Sequence, residues 1–371
     1  MDLFVYGTLR SPDLMAAVSG GAVRAGLPAQ LAGYGVFPVQ GNVVPFIATQ
    51  IGGLAEGVIF ADLNSQQMAR LNLYEGAFGY RLVNVAVQTA NGRREVKCYL
   101  PPENVAVGQG IWSLDAWEAD HLAPAILAVT ELFSHNPLPS FEVLRAMWPM
   151  IEARAWSKHR AQAAPARRRF APGTSDFQIN DAQPPVGRFF SFQSLTARHR
   201  RFDGKMSDTL VREGFFGIDA AVVLPYDPGR DRVLLVEQAR LGPRLRHDPN
   251  PWMLEPVAGI VDARETPQEA ALRECHEEAG LSVTHLAPAG EFYVSPGAST
   301  DYFYTYTGLC DLPETRMYLG GLDNEAEDLR LHPMAFDAAM ELADSGEIAT
   351  GPALFLLYWI ARHKDRLRAL V

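Results

Sequence analysis

Cysteine is scarce in this 371-residue chain: there are three, Cys98, Cys275 and Cys310. They show no paired metal-type spacing, and an odd number cannot all pair internally. That excludes a fully disulfide-stapled framework and fits a reducing compartment, the cytoplasm. Basic charge is also short. Lys and Arg number 33 against 43 Asp and Glu, a net charge of −10, which argues against a general nucleic-acid binder. Long apolar runs are missing too, so no membrane span is expected. The longest run, "PALFLLYWIA" from Pro352, is too short to cross a bilayer and reads as a buried C-terminal helix with Pro352 at its first position. The opening "MDLFVYGTLR" lacks a basic n-region and a long apolar h-region, so a secretory signal is not expected. No internal repeat is visible. What is there, 48% hydrophobic and 20% charged residues, suits a globular protein long enough for two domains.

Four segments follow one another. Residues 1–112 read as strands and turns: "LFVYGTL", "GLAEGVIFADL", "YRLVNVAVQTA" and "REVKCYLPP", with one short helix, "SQQMARLNLYEG", ending near Gly76. Residues 113–160 have helical periodicity, with Ser113 and Ser140 as N-caps. Residues 161–186 are rich in Pro, Gly and polar side chains and read as a linker, and the run Arg167 to Arg169 reads as a solvated charge run. Residues 187–371 alternate strands and helices. "IDAAVVLPYD", "RVLLVEQARL", "WMLEPVAGIVD", "HLAPAGEFYVS" and "YFYTYTGLC" are the strands; "HPMAFDAAMELADSG" and the C-terminal segment are helices. The pattern predicts a mixed sheet packed between helices.

Residues 259–281, "GIVDARETPQEAALRECHEEAGL", hold six carboxylates and no Lys. Thr266, Pro267 and Glu269 form a capping box with Pro at the first helical position, and Gly280 suits the stop, so a helix is expected over about 267–279. Ala271, Cys275 and Ala279 recur at i, i+4 and i+8 beside Leu272, the expected buried stripe. Glu274 and Glu278 sit one turn apart with Glu277 beside them, on a face rotated roughly 100° from that stripe. Like charges at this spacing destabilise a helix by a few tenths of a kcal/mol per pair, and the dipole disfavours anions near a C-terminus. Local sequence leaves two readings: a solvated acidic face, or a site for hard divalent cations.

The whole stretch resembles the Nudix box, G-x5-E-x7-R-E-U-x-E-E-x-G-U, where U is bulky and apolar. Gly259, Glu265, Arg273, Glu274, Glu277, Glu278, Gly280 and Leu281 match, and Cys275 takes the first U position. The resemblance implies that Glu274 and Glu278 ligate metal with the backbone carbonyl of Ala258, and that Arg273 pairs with Glu265 to fix the loop against the helix. Outside the box, residues 187–371 resemble the ADP-ribose pyrophosphatases. "RFDGKMSDTLVRE" is similar to their N-terminal hairpin, Pro296 stands where they carry a proline, and "GLDNEAEDLRLHPM" is similar to the loop that carries their catalytic base. On that resemblance the base maps onto Glu325 and a further metal ligand onto Glu327, a register that a two-residue slip would change. Arg212 and Arg240 map onto substrate contacts, and Phe189, Phe190 and Phe192 are candidates for stacking on adenine or for the core. The implied activity is Mg²⁺-dependent cleavage of ADP-ribose to AMP and ribose 5-phosphate, with Mn²⁺ as a substitute ion, in a homodimer. The competing readings are hydrolysis of another nucleoside diphosphate sugar and a non-catalytic ADP-ribose sensor. A sensor would not need the full set of metal and base carboxylates.

"FVYGTLR" at 4–10 and "LNLYEGAFGYR" at 71–81 resemble the γ-glutamylcyclotransferase-like (AIG2-like) family over about residues 2–105. The resemblance implies a small β-barrel in which Tyr6, Gly7, Thr8 and Leu9 offer backbone N–H groups to an anionic substrate group. Glu75 falls on the family's acid/base carboxylate. A binding or regulatory module is the alternative for this domain. The expected fold class is therefore mixed α+β: a β-barrel domain, a helical connector and a Nudix α/β/α sandwich.

Overall fold

The computed structural model describes residues 1–103, 105–164, 172–314, 317–321 and 327–370. It divides into two compact units, Met1–Arg212 and Glu213–Val371.

The first unit opens with a closed barrel of five strands, β1 (Leu3–Val5), β2 (Leu27–Pro38), β3 (Pro45–Phe60), β4 (Arg81–Thr89) and β5 (Gly92–Leu100), in the order β1-β3-β2-β4-β5. Period-two alternation builds its two layers. Phe4, Leu31, Ile59, Val87 and Cys98 fall in one buried cluster, while Leu3, Val5 and Phe60 fall in another. That second cluster takes in Leu14 and Met15 of α1 (Pro12–Ser19) and Met68 and Leu71 of α2 (Ser65–Gly76).

The expected helices of the connector are α3 (Leu114–Leu132) and α4 (Phe141–Gln162). Ser113 Oγ accepts from Ala116 N–H at 3.4 Å and Ser140 Oγ from Val143 N–H at 3.3 Å, so both serines cap as expected. Leu132, Leu144, Met147 and Ile151 pack with Leu73 of α2, which makes the connector part of the first unit's core. A buried ion pair crosses it. Arg154, 2% exposed, meets Glu131 at 2.7 Å, and Lys158 reaches the same carboxylate at 2.9 Å. Arg154 Nη1 also donates to the carbonyl of Phe189 at 2.6 Å, which fastens the chain where the following strand begins.

The stretch read as a linker is not wholly irregular. Phe177–Ala182 forms β6, which lies beside β7 (Ser191–His199) and β8 (Leu210–Phe216) in a three-stranded sheet ordered β6-β7-β8. Phe177 and Ile179 alternate with Gln178 and Asn180, a strand signal outweighed in the sequence by the Pro- and Gly-rich surroundings. The boundary between the two units falls inside β8. The run Arg167 to Arg169 lies outside the described residues.

The second unit is built on an eight-stranded sheet: β9 (Ala220–Asp227), β10 (Arg232–Ala239), β11 (Trp252–Glu255), β12 (Val257–Ile260), β13 (His285–Tyr293), β14 (Tyr302–Leu309), β15 (Tyr318–Gly320) and β16 (Leu329–Ala335). The path is β13-β14-β9-β10-β16-β15, with β11 on β10 and β12 on β9. β14 runs parallel to β9 and the sheet's other pairings are antiparallel, so the sheet is mixed. Central strands are apolar on both sides, as a sheet covered on two faces requires. Ala221, Val223, Leu234 and Val236 pack with α6 (Pro267–Ala279). Val222, Leu224, Val233 and Leu235 pack with α7 (Phe336–Ser345) and α8 (Gly351–Arg368). Among the described residues no helix is long and apolar enough to cross a membrane.

Three local readings need correction. "WMLEPVAGIVD" is two strands, not one: Pro256 has no N–H to continue a ladder, and β11 and β12 pair with different neighbours. His332 to Ala335, expected to start a helix, are strand β16, held in register against β10 from Ala335 opposite Arg232 to Arg330 opposite Glu237. Leu272, placed beside the buried stripe of α6, is 44% exposed, and Ala270 takes the buried place instead.

Candidate metal and pyrophosphate site

α6 begins and ends where its caps dictate. Thr266 Oγ1 accepts from Glu269 N–H at 3.2 Å, Glu269 accepts in return from Thr266 N–H at 2.8 Å, and Gly280 closes the helix at φ 64°. The carboxylates of this stretch then sort into distinct jobs. Glu269 is spent on the cap. Glu265, Glu274 and Glu277 converge on one guanidinium. Arg273 donates to both oxygens of Glu265 at 2.9 and 3.0 Å, to Glu274 at 2.6 Å and to Glu277 at 3.0 Å. Its remaining contact is the carbonyl of Ile260 at 3.0 Å, which ties the helix to the end of β12. Its hydrogen bonds to Glu265 and the charges of the surrounding carboxylates push its pKa above the ordinary range, so it stays charged.

Glu278 is different. It is 2% exposed, and its carboxylate accepts a long bond, 3.4 Å, from Ala258 N–H. Among the described residues no cation forms an ion pair with it. Burial pushes its carboxyl up to about 8, and the charges of Glu274 and Glu327 add to the rise, with Arg240 opposing weakly. Burial also raises Glu274, against the pull of Arg273. The acidic face is thus not a solvated one. Gly259 explains how β12 approaches it: a Cβ there would lie 1.8 Å from Glu274 Oε1, so only glycine leaves room for that carboxylate.

The donor set is all oxygen: Glu274, Glu278, the adjoining peptide of Ala258, and Glu327 close enough to act on both glutamates. A buried carboxylate without a cation, beside like charges, is costly unless a positive ion joins it. Hard divalent cations suit such a set. Among the described residues no three His, Cys, Asp or Glu side chains already form a cage. An ion here would complete its shell from a carbonyl, water and substrate phosphates, which is usual for Mg²⁺. Glu325 lies outside the described residues.

The arginines differ in placement. Arg240 stands at the end of β10 and meets Glu255 of β11 at 2.6 Å, within electrostatic reach of Glu278. Glu255 was not singled out from the sequence, because the antiparallel register of β10 on β11 is what brings it there. Arg212 is exposed on β8, in the first unit, with Nη1 donating to the neighbouring carbonyl of Val211 at 2.8 Å. Phe189, Phe190 and Phe192 are 50%, 44% and 42% exposed and do not belong to the core.

In the first unit, Tyr6 follows β1, with Thr8 and Leu9 in a short 3₁₀ turn after Gly7. Tyr6 and Leu9 are buried. Glu75 lies near the end of α2, and its charge is felt by the hydroxyls of Tyr6, Tyr74, Tyr80 and Tyr99 and by the thiol of Cys98. A little of its surface reaches solvent, yet protein surrounds the carboxyl, and among the described residues no hydrogen bond or ion pair reaches it. Burial therefore pushes it up to about 7. Tyr74 and Tyr80 flank Glu75 within "LYEGAFGY", a signal the sequence carried openly; Cys98 and Tyr99 arrive only through the barrel. The sign of a stability effect follows. A carboxyl at about 7 when folded, against an ordinary 4.5, favours the fold fully below pH 4.5, and that contribution is lost as pH rises through 7. The first unit is expected to lose at most about 3 kcal/mol at this group between pH 4.5 and 7.5. Urea unfolding of Glu75→Gln should show a correspondingly flatter pH slope, and an unchanged slope would remove Glu75 as its source.

Residues 217–348 match the NUDIX domain model, and residues 3–119 match gamma-glutamyl cyclotransferase, AIG2-like. The ADP-ribose pyrophosphatase of Escherichia coli strain K12 is 35% identical over 196 residues, covering 53% of this chain and 93% of that protein. The ADP-ribose pyrophosphatase of Haemophilus influenzae is 33% identical over 195 residues, 52% of this chain and 89% of that protein. The GDP-mannose pyrophosphatase of Enterobacter sp. strain 638 is 28% identical over 172 residues, 46% of this chain and 88% of that protein. With the box geometry of α6 and β12 and these matches together, the chain belongs to the Nudix hydrolases of the ADP-ribose pyrophosphatase type, and it carries an AIG2-like domain ahead of its Nudix domain.

Proposed function

We propose that the second unit hydrolyses the pyrophosphate bond of ADP-ribose to AMP and ribose 5-phosphate with Mg²⁺. The observation that carries the reading is Glu278, buried beside Glu274 and within reach of Glu327, with no ion-pairing cation among the described residues. Glu274, Glu278, Glu327 and the Ala258 carbonyl would hold the ion, with Mn²⁺ able to replace Mg²⁺. A bound ion supplies neutralisation of the pyrophosphate oxygens and a more acidic water. The chain's own residues do the rest. Arg273 holds Glu274 in place and locks the helix to β12 through Glu265 and Ile260. Arg240, paired with Glu255, offers a cation for a phosphate or ribose oxygen, and Arg212 is assigned a similar role. Glu325, by resemblance of its loop, takes the proton of the attacking water. A screen over nucleoside diphosphate sugars, with and without Mg²⁺, tests the reading, with a phosphatase added to release phosphate from the monoester products. ADP-ribose should lead, and preference for GDP-mannose would reassign the base specificity.

For the first unit the reading is a γ-glutamyl cyclotransferase site. Glu75, poised near neutral pH, would take the proton of an α-amine as it attacks the γ-carbonyl and return it to the amine expelled as the γ-amide bond breaks and the ring closes to 5-oxoproline, and the Tyr6–Leu9 turn would hold an anionic group. A homodimer is proposed as well, since the β6–β8 sheet leaves Phe177, Ile179 and Val211 exposed, an apolar surface a second copy would cover. Three free, buried cysteines suit a cytoplasmic setting.

The two activities are expected to be separable. Residues 172–371, which keep β6 to β8 whole, should retain ADP-ribose hydrolysis, because every residue assigned to that reaction lies within them. Turnover and sedimentation of the truncated and full-length chains check this. A soluble, dimeric truncation without activity would contradict the two-module reading.

A further inference from the structure

The last turn of a helix leaves carbonyls without intrahelical partners. In α6 these are met unevenly. Gly280 N–H turns back to the carbonyl of His276 at 3.0 Å and Leu281 N–H to that of Cys275 at 3.0 Å. The carbonyls of Glu278 and Ala279 are met from outside the helix, by β15 and the residue that follows it. Gly321 N–H donates to the carbonyl of Glu278 at 3.1 Å, and the Tyr318 hydroxyl donates to that of Ala279 at 3.2 Å.

Both glycines at this contact are required by space. A Cβ on Gly320 would stand 2.1 Å from the Glu278 carbonyl oxygen and 2.7 Å from Leu331 Cδ1. Gly321 has φ +92°, and a Cβ there would stand 2.9 Å from Glu327 Cβ and 3.0 Å from Leu329 Cγ. Gly321 and Glu327 therefore face one another across the base of the β15–β16 connection, where Gly320 also pairs with Leu329. One residue, Glu278, offers its carboxylate to the site and its carbonyl to this neck. A displacement of the neck would carry Glu327 with it.

We propose that Tyr318, Gly320 and Gly321 are positioning residues: they clamp the neck of the β15–β16 connection to the last turn of α6 and thereby set Glu327 against Glu274 and Glu278. The inference rests on the reading of those carboxylates as metal ligands. The clamp acts through Glu327, so its loss should weaken metal binding before it disturbs substrate binding.

Mn²⁺ alone is the probe, its binding to the full-length chain followed by electron paramagnetic resonance. Gly320→Ala is expected to weaken Mn²⁺ binding at least tenfold, and Tyr318→Phe about threefold. Leu319→Ala, whose side chain is 75% exposed on the same strand, should leave it unchanged. In a Glu327→Gln background the effect of Gly320→Ala should vanish, because a clamp acting through Glu327 has nothing left to position. With ADP-ribose and Mg²⁺, kcat should fall while KM moves less than threefold. If Gly320→Ala does not fold, Tyr318→Phe alone and with Glu327→Gln decides the matter. Wild-type Mn²⁺ affinity in folded clamp variants, or full additivity with Glu327→Gln, overturns the clamp. If Glu278→Gln also binds Mn²⁺ like the wild type, the underlying metal reading falls instead.

Discussion

Glu278→Gln is expected to lower ADP-ribose turnover at least about 10³-fold at saturating Mg²⁺, a loss of several kcal/mol of transition-state stabilisation. The amide keeps the shape of the side chain and removes one ligand charge. The same substitution should make the metal-free protein more stable. Glu278 is buried beside Glu274 and Glu327, and among the described residues no cation forms an ion pair with it, so a neutral amide removes that repulsion. At about 2–4 °C per kcal/mol for a domain of this size, a rise of a few degrees in metal-free Tm is expected. A lower activity joined to a higher melting temperature would separate a functional carboxylate from a structural one. Near wild-type turnover would refute the metal assignment.

Glu325→Gln is expected to lower kcat by about 10² to 10⁴-fold while KM for ADP-ribose changes less than threefold. A general base acts mainly in the transition state, so substrate binding should be spared. Steady-state kinetics of Glu325→Gln and Glu327→Gln side by side provide the check. Glu327→Gln should lose activity with a raised Mg²⁺ requirement, since it removes a ligand rather than the base. If Glu327→Gln carries the pure kcat loss and Glu325→Gln is silent, the register of the loop is off by two residues.

The helix of the acidic stretch was legible because local chemistry determines it. Thr266, Pro267, Glu269 and Gly280 set both ends of α6 from within the segment, and its observed range, Pro267–Ala279, is the expected one. α2 was equally legible, since Asn64 and Gln67 cap it locally. Elements that depend on distant partners were read less well. β16 looked helical at His332–Ala335 until its pairing with β10 is seen, and β11 and β12 part at Pro256 because their partners differ. In the site, spacing placed Glu274 and Glu278 on one helix, but it could not say that Glu278 would be buried. That depends on β12 reaching the helix, which Gly259 permits by lacking a Cβ. Neither the Arg240–Glu255 pair nor the contact of Tyr318 with Ala279 had a sequence signal, because the first depends on strand register and the second on packing of a strand against a helix.

The central claim is metal-dependent cleavage of ADP-ribose at its pyrophosphate by the Glu274–Glu278 site. The most direct measurement incubates the full-length chain with ADP-ribose, with Mg²⁺ and with chelator, and identifies products by ion-exchange chromatography against Glu278→Gln. The account predicts AMP and ribose 5-phosphate in equal amounts with Mg²⁺, and neither product with chelator or with the variant. Intact ADP-ribose in the presence of Mg²⁺ and folded wild-type protein, or equal cleavage by wild type and variant, would contradict it.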